Sequence, residues 1–168
     1  DKLYKKFAKG EFLEVIDGCK RVLKKRKHQL FFNLLSIAYQ KNGKIEKSID
    51  VMREALSLNP DHPNFLNNIG TCFYKLHKYS EAEKYFKKGL EIDKRHLHIL
   101  NNLGNLKRET FKIEQSINFY KKVLDIQKDA VPTLFNLVGI YRITNQKEES
   151  KLYCKKIIEL NKKLTDAD

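Results

Sequence analysis

Two quartets, "NNIG" at residues 67–70 and "NNLG" at residues 101–104, stand one fixed spacing apart, and that spacing of 34 residues is the period of most of the chain. Blocks 29–62, 63–96, 97–130 and 131–164 align on it. Their fourth residues are Phe32, Leu66, Leu100 and Leu134, and their seventh are Leu35, Ile69, Leu103 and Leu137. The eighth are Ser36, Gly70, Gly104 and Val138, mostly small. The twentieth are small throughout: Ser48, Ala82, Ser116 and Ser150. The twenty-fourth are Met52, Phe86, Tyr120 and Cys154. A chain with such a period is restricted to stacked copies of one supersecondary unit.

Spacing within a block says what that unit is. Positions 4, 7, 8 and 11 share one face of a helix, and positions 20, 24 and 27 share one face of a second. Breaks such as "KNGK" at 41–44 and "NPDHP" at 59–63 separate them. Small residues at positions 8 and 20 let the two helices approach closely. One pair cannot bury both its faces, whereas stacked pairs can. Residues 10–23, "GEFLEVIDGCKRVL", mimic 43–56 at an offset of 33, so residues 1–28 read as a partial repeat that opens mid-unit. The four full blocks follow, and 165–168 is a tail. The whole, 1–168, reads as one domain.

The pattern resembles the tetratricopeptide repeat, with Leu-Gly at positions 7–8, Ala at 20 and Phe at 24. Block 63–96 carries it most fully; Lys107 departs from the Tyr expected at position 11, Val138 from the Gly at 8, and Lys94, Lys128 and Lys162 from the Pro at 32. The resemblance implies an all-α solenoid of antiparallel helix pairs in a right-handed superhelix, with a concave groove that binds other polypeptides.

On the first helix of each block, positions 2, 5, 6, 9, 12 and 13 point away from the packing face. The resemblance places them in the groove. Position 6 holds Leu34, Asn68, Asn102 and Asn136, and position 5 adds Asn33, Asn67 and Asn101. An Asn amide both donates and accepts. A ladder of them would grip the backbone of an extended peptide and leave its sequence largely unread. The arrangement is similar to the Asn ladder in the repeats of O-GlcNAc transferases, with Asn68, Asn102 and Asn136 matching and Leu34 not. Further groove candidates are Asn64 and His98 at position 2, Thr71 and Asn105 at position 9, and Tyr74, Arg108 and Arg142 at position 12. The clamp that holds C-terminal carboxylates of heat-shock chaperones is not matched, because its lysines are missing.

Composition removes other classes. The charge is +13, but the basic residues are mostly Lys, which argues against a phosphate-reading surface built on Arg forks. Lysine pairs fall mainly on second helices, the expected outer wall. Cys19, Cys72 and Cys154 form no CxxC pattern, so a reduced, cytoplasmic setting is expected. No apolar run is long enough to span a membrane. The five His show no ligand spacing, and no catalytic motif appears, so neither cofactor, metal nor enzymatic activity is expected.

The main reading is a protein–protein interaction scaffold. An alternative is the substrate-presenting N-terminal module of a larger enzyme, because the repeats resemble those before bacterial sulfotransferase-like or glycosyltransferase domains. A third is a basic outer face that docks on nucleic acid or membrane. The chain opens without Met and closes on a second helix with no polar cap, leaving Ile157, Ile158 and Leu160 without cover. The native protein is therefore expected to continue beyond Asp168.

Overall fold

The computed structural model describes residues 2–165, so 166–168 of the expected tail lie outside the described residues. Among the described residues every element is a helix. Two compact units divide the chain, one running to Lys94 and the other from Arg95.

The first unit contains α1 (Lys2–Ala8), α2 (Phe12–Lys25), α3 (Gln29–Lys41), α4 (Ile45–Leu58), α5 (Pro63–Lys75) and α6 (Tyr79–Ile92). The second contains α7 (Leu97–Glu109), α8 (Ile113–Ile126), α9 (Val131–Ile143) and α10 (Lys147–Thr165). First helices open on the first residue of each block. Pro63 stands at the start of α5, where a missing N–H costs no hydrogen bond. Each second helix carries an acid in its first turn, from Glu14 and Glu46 to Glu81, Glu114 and Glu148, which complements the helix dipole.

The turn inside each pair is made the same way every time. Gly10, Gly43, His77, Phe111 and Asn145 all have positive φ, from 57° to 78°. Gly adopts this region freely, whereas a side chain there is strained. The next residue's N–H then returns to a carbonyl of the first helix, as in Lys78 to Phe73 and Lys112 to Lys107.

Packing inside the pairs explains the small residues. A Cβ on Gly70 would lie 2.7 Å from the Phe86 ring, and one on Gly104 would lie 2.5 Å from the Tyr120 ring. Position 8 is therefore small where position 24 is a large ring. The departure at Val138 follows the same rule in reverse, because Cys154 stands at its position 24 and leaves room. At position 20 the buried serines of the first and third blocks are satisfied: Ser116 donates to the Gly104 carbonyl at 2.7 Å, and the Ser36 and Ser48 hydroxyls are 2.7 Å apart.

The first helices are buried more widely than the sequence pattern indicated. Phe65, Ile99 and Thr133 at position 3 are buried, as are Ala38, Cys72, Leu106 and Ile140 at position 10. Within the first unit two of them meet the preceding pair, Phe65 beside the Phe32 ring at 6.3 Å and Cys72 beside the Ser48 hydroxyl at 3.2 Å. At the end of α10, Ile157 lies in the core beside Tyr153, Leu160 is half-buried, and Ile158 is exposed. The expected lack of cover thus applies to Ile158 and not to Ile157, which faces back into its own pair.

Candidate partner-binding faces

In the first unit the polar face is built on α3 and α5. Asn68 donates to the Asn33 amide oxygen at 2.9 Å. Lower down, Lys75 donates to the Gln40 amide oxygen at 2.9 Å. Partial burial pushes the Lys75 ammonium below its usual range. Asn67, Asn68, Thr71 and Tyr74 are half-buried, whereas Asn64 is exposed. Thr71 turns its hydroxyl back onto the Asn67 carbonyl at 2.8 Å. Tyr74 lies 5.7 Å from Tyr79. Leu34, at the ladder position of the first block, is buried.

In the second unit the face is built on α7 and α9, and its members are wired together. Asn105 accepts from the Tyr120 hydroxyl at 2.6 Å and from the Asn136 amide at 3.5 Å. Arg108 donates to the Asn136 oxygen at 3.3 Å and to Glu109 at 3.4 Å. Thr133 donates to the Asn101 oxygen at 3.2 Å. Asn102 is half-buried, and His98 and Arg142 are exposed.

In the second unit the structure brings Asn105, Arg108 and Asn136 together, with a qualification the sequence did not carry. Asn68 and Asn136 bond to the preceding repeat, and Asn105 answers a buried tyrosine hydroxyl. Gln40 and Lys75 join the first unit's face although neither stood among the candidates. They occupy positions 12 and 13 of their blocks, both on the side turned away from the packing face, so the spacing carries their signal.

The cysteines sit apart from these faces. Burial raises the Cys19 thiol to about 11 and pushes Cys72 upward too, so both favour the inert thiol. Cys72 makes a 3.2 Å contact with the Ser48 hydroxyl within the core. Among the described residues no helix is long and apolar enough to cross a membrane.

Tetratricopeptide repeat models match residues 30–62, 63–96, 97–129 and 131–164. The chain is a tetratricopeptide repeat protein. Its helix pairs resemble those of the crystal structure of MamA, at 18% identity over 99% of this chain and 98% of that one, with a TM-score of 0.78. BtubC from P. vanneervenii is similar over 97% of this chain and 78% of its own, at 18% identity and a TM-score of 0.81. PilF of Pseudomonas aeruginosa is similar over 94% and 72%, at 14% identity and a TM-score of 0.82. At these identities the likeness is one of fold. No curated protein matches the sequence. The tetratricopeptide repeats make this chain, in general terms, a scaffold for protein interaction.

Proposed function

We propose that the first-helix face of each unit binds extended polypeptide through its backbone, with Asn68 as the main contact in the first unit and Asn102 and Asn136 in the second. The observation that carries this reading is the second unit's chain of half-buried amides. Its contacts between Asn136, Asn105 and Arg108 run from 3.3 to 3.5 Å, at the long edge of hydrogen bonding. Long bonds are readily exchanged for a peptide N–H or C=O, and the amide can serve either. Arg108 would add a charge-assisted contact to an acidic side chain of the peptide. Asn64, Asn67, Thr71, Tyr74, His98, Asn101 and Arg142 would flank the bound segment. Asn105 would act indirectly, by holding Asn136.

The test begins with peptides selected from a random display library on the intact chain. Their affinity is then measured on Asn68→Ala, Asn102→Ala and Asn136→Ala combined, with folding checked by circular dichroism. Backbone recognition predicts peptides with little shared sequence, at least tenfold weaker binding to the triple variant, and loss of binding on backbone N-methylation. Equal affinity for the folded variant would sink the reading.

A further inference from the structure

One row of residues on α9 breaks the pattern of the other first helices. Positions 5, 9 and 13 lie four residues apart and so follow one row along a helix. In α3 the row reads Asn33, Ile37 and Lys41, in α5 Asn67, Thr71 and Lys75, and in α7 Asn101, Asn105 and Glu109. In α9 it reads Phe135, Gly139 and Ile143. The amide and the charge at its two ends are both lost, and large apolar residues replace them. Neither is buried: Phe135 is 57% exposed and Ile143 is 73% exposed. Gly139 between them is exposed too, and a Cβ there would meet nothing within 4 Å. The other side of α9 is committed to its own unit, with Leu134, Leu137, Val138 and Tyr141 in the core. A helix with apolar residues on both sides is expected to be covered on both.

The row itself says what covers it. In α7 its first two residues face a neighbouring first helix, because Asn101 accepts from Thr133 and Asn105 accepts from Asn136, both on α9. The row is thus placed for contact between helices, and on α9 it stands open. Its spacing is also symmetric, with Phe135 and Ile143 each four residues from Gly139. Rows of this i±4 kind pack at a crossing of about 50°. Two α9 helices crossed in that way, and antiparallel, set Phe135 of each copy against Ile143 of the other. The two Gly139 then meet on the two-fold axis, as an isologous contact requires. With no Cβ on the axis, the backbones approach closely enough for the flanking side chains to pack. Charge permits the pairing as well. In a chain of charge +13, α9 carries one charged residue, Arg142, so little like-charge repulsion opposes the contact.

We propose that α9 is a homodimer interface, in which the row of Phe135, Gly139 and Ile143 packs on the same row of a second copy. The inference stands apart from peptide binding by the amide faces. The patch is small, so the dimer is a reversible one in the micromolar range.

Sedimentation equilibrium of the intact chain at physiological salt tests it. Molar mass should rise from monomer towards dimer across micromolar concentrations. Gly139→Glu and Gly139→Lys place their side chains in open space and should leave the circular dichroism unchanged. Each alone should weaken the dimer at least about tenfold, because like charges then meet on the axis. An equimolar mixture of the two should recover it, which requires that the residue meet its own counterpart. Phe135→Ser should weaken the dimer by a similar factor. Phe111→Gly, which removes a more exposed ring from a turn, should leave it unchanged. Three outcomes would overturn the proposal. One is a monomer at every concentration, which would leave the row to a different partner. The others are a dimer indifferent to both charges, and charge variants that fail to recover when mixed.

Discussion

The repeat at 63–96 and the repeat at 97–130 share a glycine at position 8 but place different rings against it. Phe86 ends in carbon, so Thr71 beside it spends its hydroxyl on its own helix backbone. Tyr120 is as fully buried as Phe86 but carries a hydroxyl that must find a partner. Asn105 supplies the acceptor, and from Asn105 the bonding continues to Asn136 and Arg108. One oxygen atom thus ties core packing to the proposed binding face in the later repeat and not in the earlier. The same pair differs again at position 11. Phe73 stacks on Tyr85 at 5.4 Å, whereas Lys107 is buried at the corresponding place.

The largest effect should come from filling the shared glycine. Gly70→Val and Gly104→Val would each push two or more carbons into a ring, at about 3 kcal/mol of stability in urea denaturation. Gly139→Ala meets nothing within 4 Å and should instead gain about 0.5 kcal/mol from helix propensity. Cys154→Phe should cost about 2 kcal/mol beside Val138, with Val138→Gly recovering part of the loss. A Cys154→Phe variant that is fully stable with Val138 in place would break the size rule.

A transplant sharpens the contrast in rings. Phe86→Tyr should cost about 2 kcal/mol, because the buried hydroxyl meets no asparagine. Adding Thr71→Asn should restore about 1 kcal/mol. The reciprocal Tyr120→Phe should cost about 1 kcal/mol and loosen Asn136. A double-mutant cycle with no coupling between positions 71 and 86 would show that the asparagine answers something else.

Turns give the next contrast. His77 and Phe111 both have a φ of 57°, but the His77 ring contacts the Tyr79 hydroxyl at 2.9 Å while Phe111 is 89% exposed. Phe111→Gly should therefore stabilise the fold by about 1 kcal/mol, and His77→Gly by less. Thermal unfolding of the two variants side by side decides it.

The smallest effect is a pH dependence at the block boundary. His96 caps α7 by accepting from the Ile99 N–H at 3.3 Å. His62 instead stacks on Phe65 at 4.1 Å, and its Nδ1 is buried with no hydrogen-bond partner. Burial lowers the His62 imidazole below its ordinary value. Below the ordinary histidine pKa of about 6.5 the unfolded chain takes the proton first, so stability falls as pH drops through the depressed folded value. Above it both states are neutral and the contribution is flat. His62→Asn should flatten that acid-side decline, as measured by unfolding at pH 7.5 and pH 5.5. An unchanged slope would remove His62 from the account.

Much of this was legible in the chain itself. The period of 34 placed the first helices, the small residues at positions 8 and 20, and the polar face that carries Asn68, Asn102 and Asn136. Those features depend on residues a few positions apart on one helix, where 3.6 residues per turn fixes who shares a face. Phe65 and Cys72, at positions 3 and 10, escaped the pattern because they pack against Phe32 and Ser48 of the preceding pair, which a single helix does not encode.

What only the tertiary structure decided lies between helices. Val138 reads as a flaw until Cys154 is seen opposite. Asn105 reads as a free groove residue until Tyr120 reaches it from position 24. The sequence carries each residue's chemistry, but hydrogen bonds, ring contacts and charge pairing act over a few ångströms, and which residues come that close is set by packing.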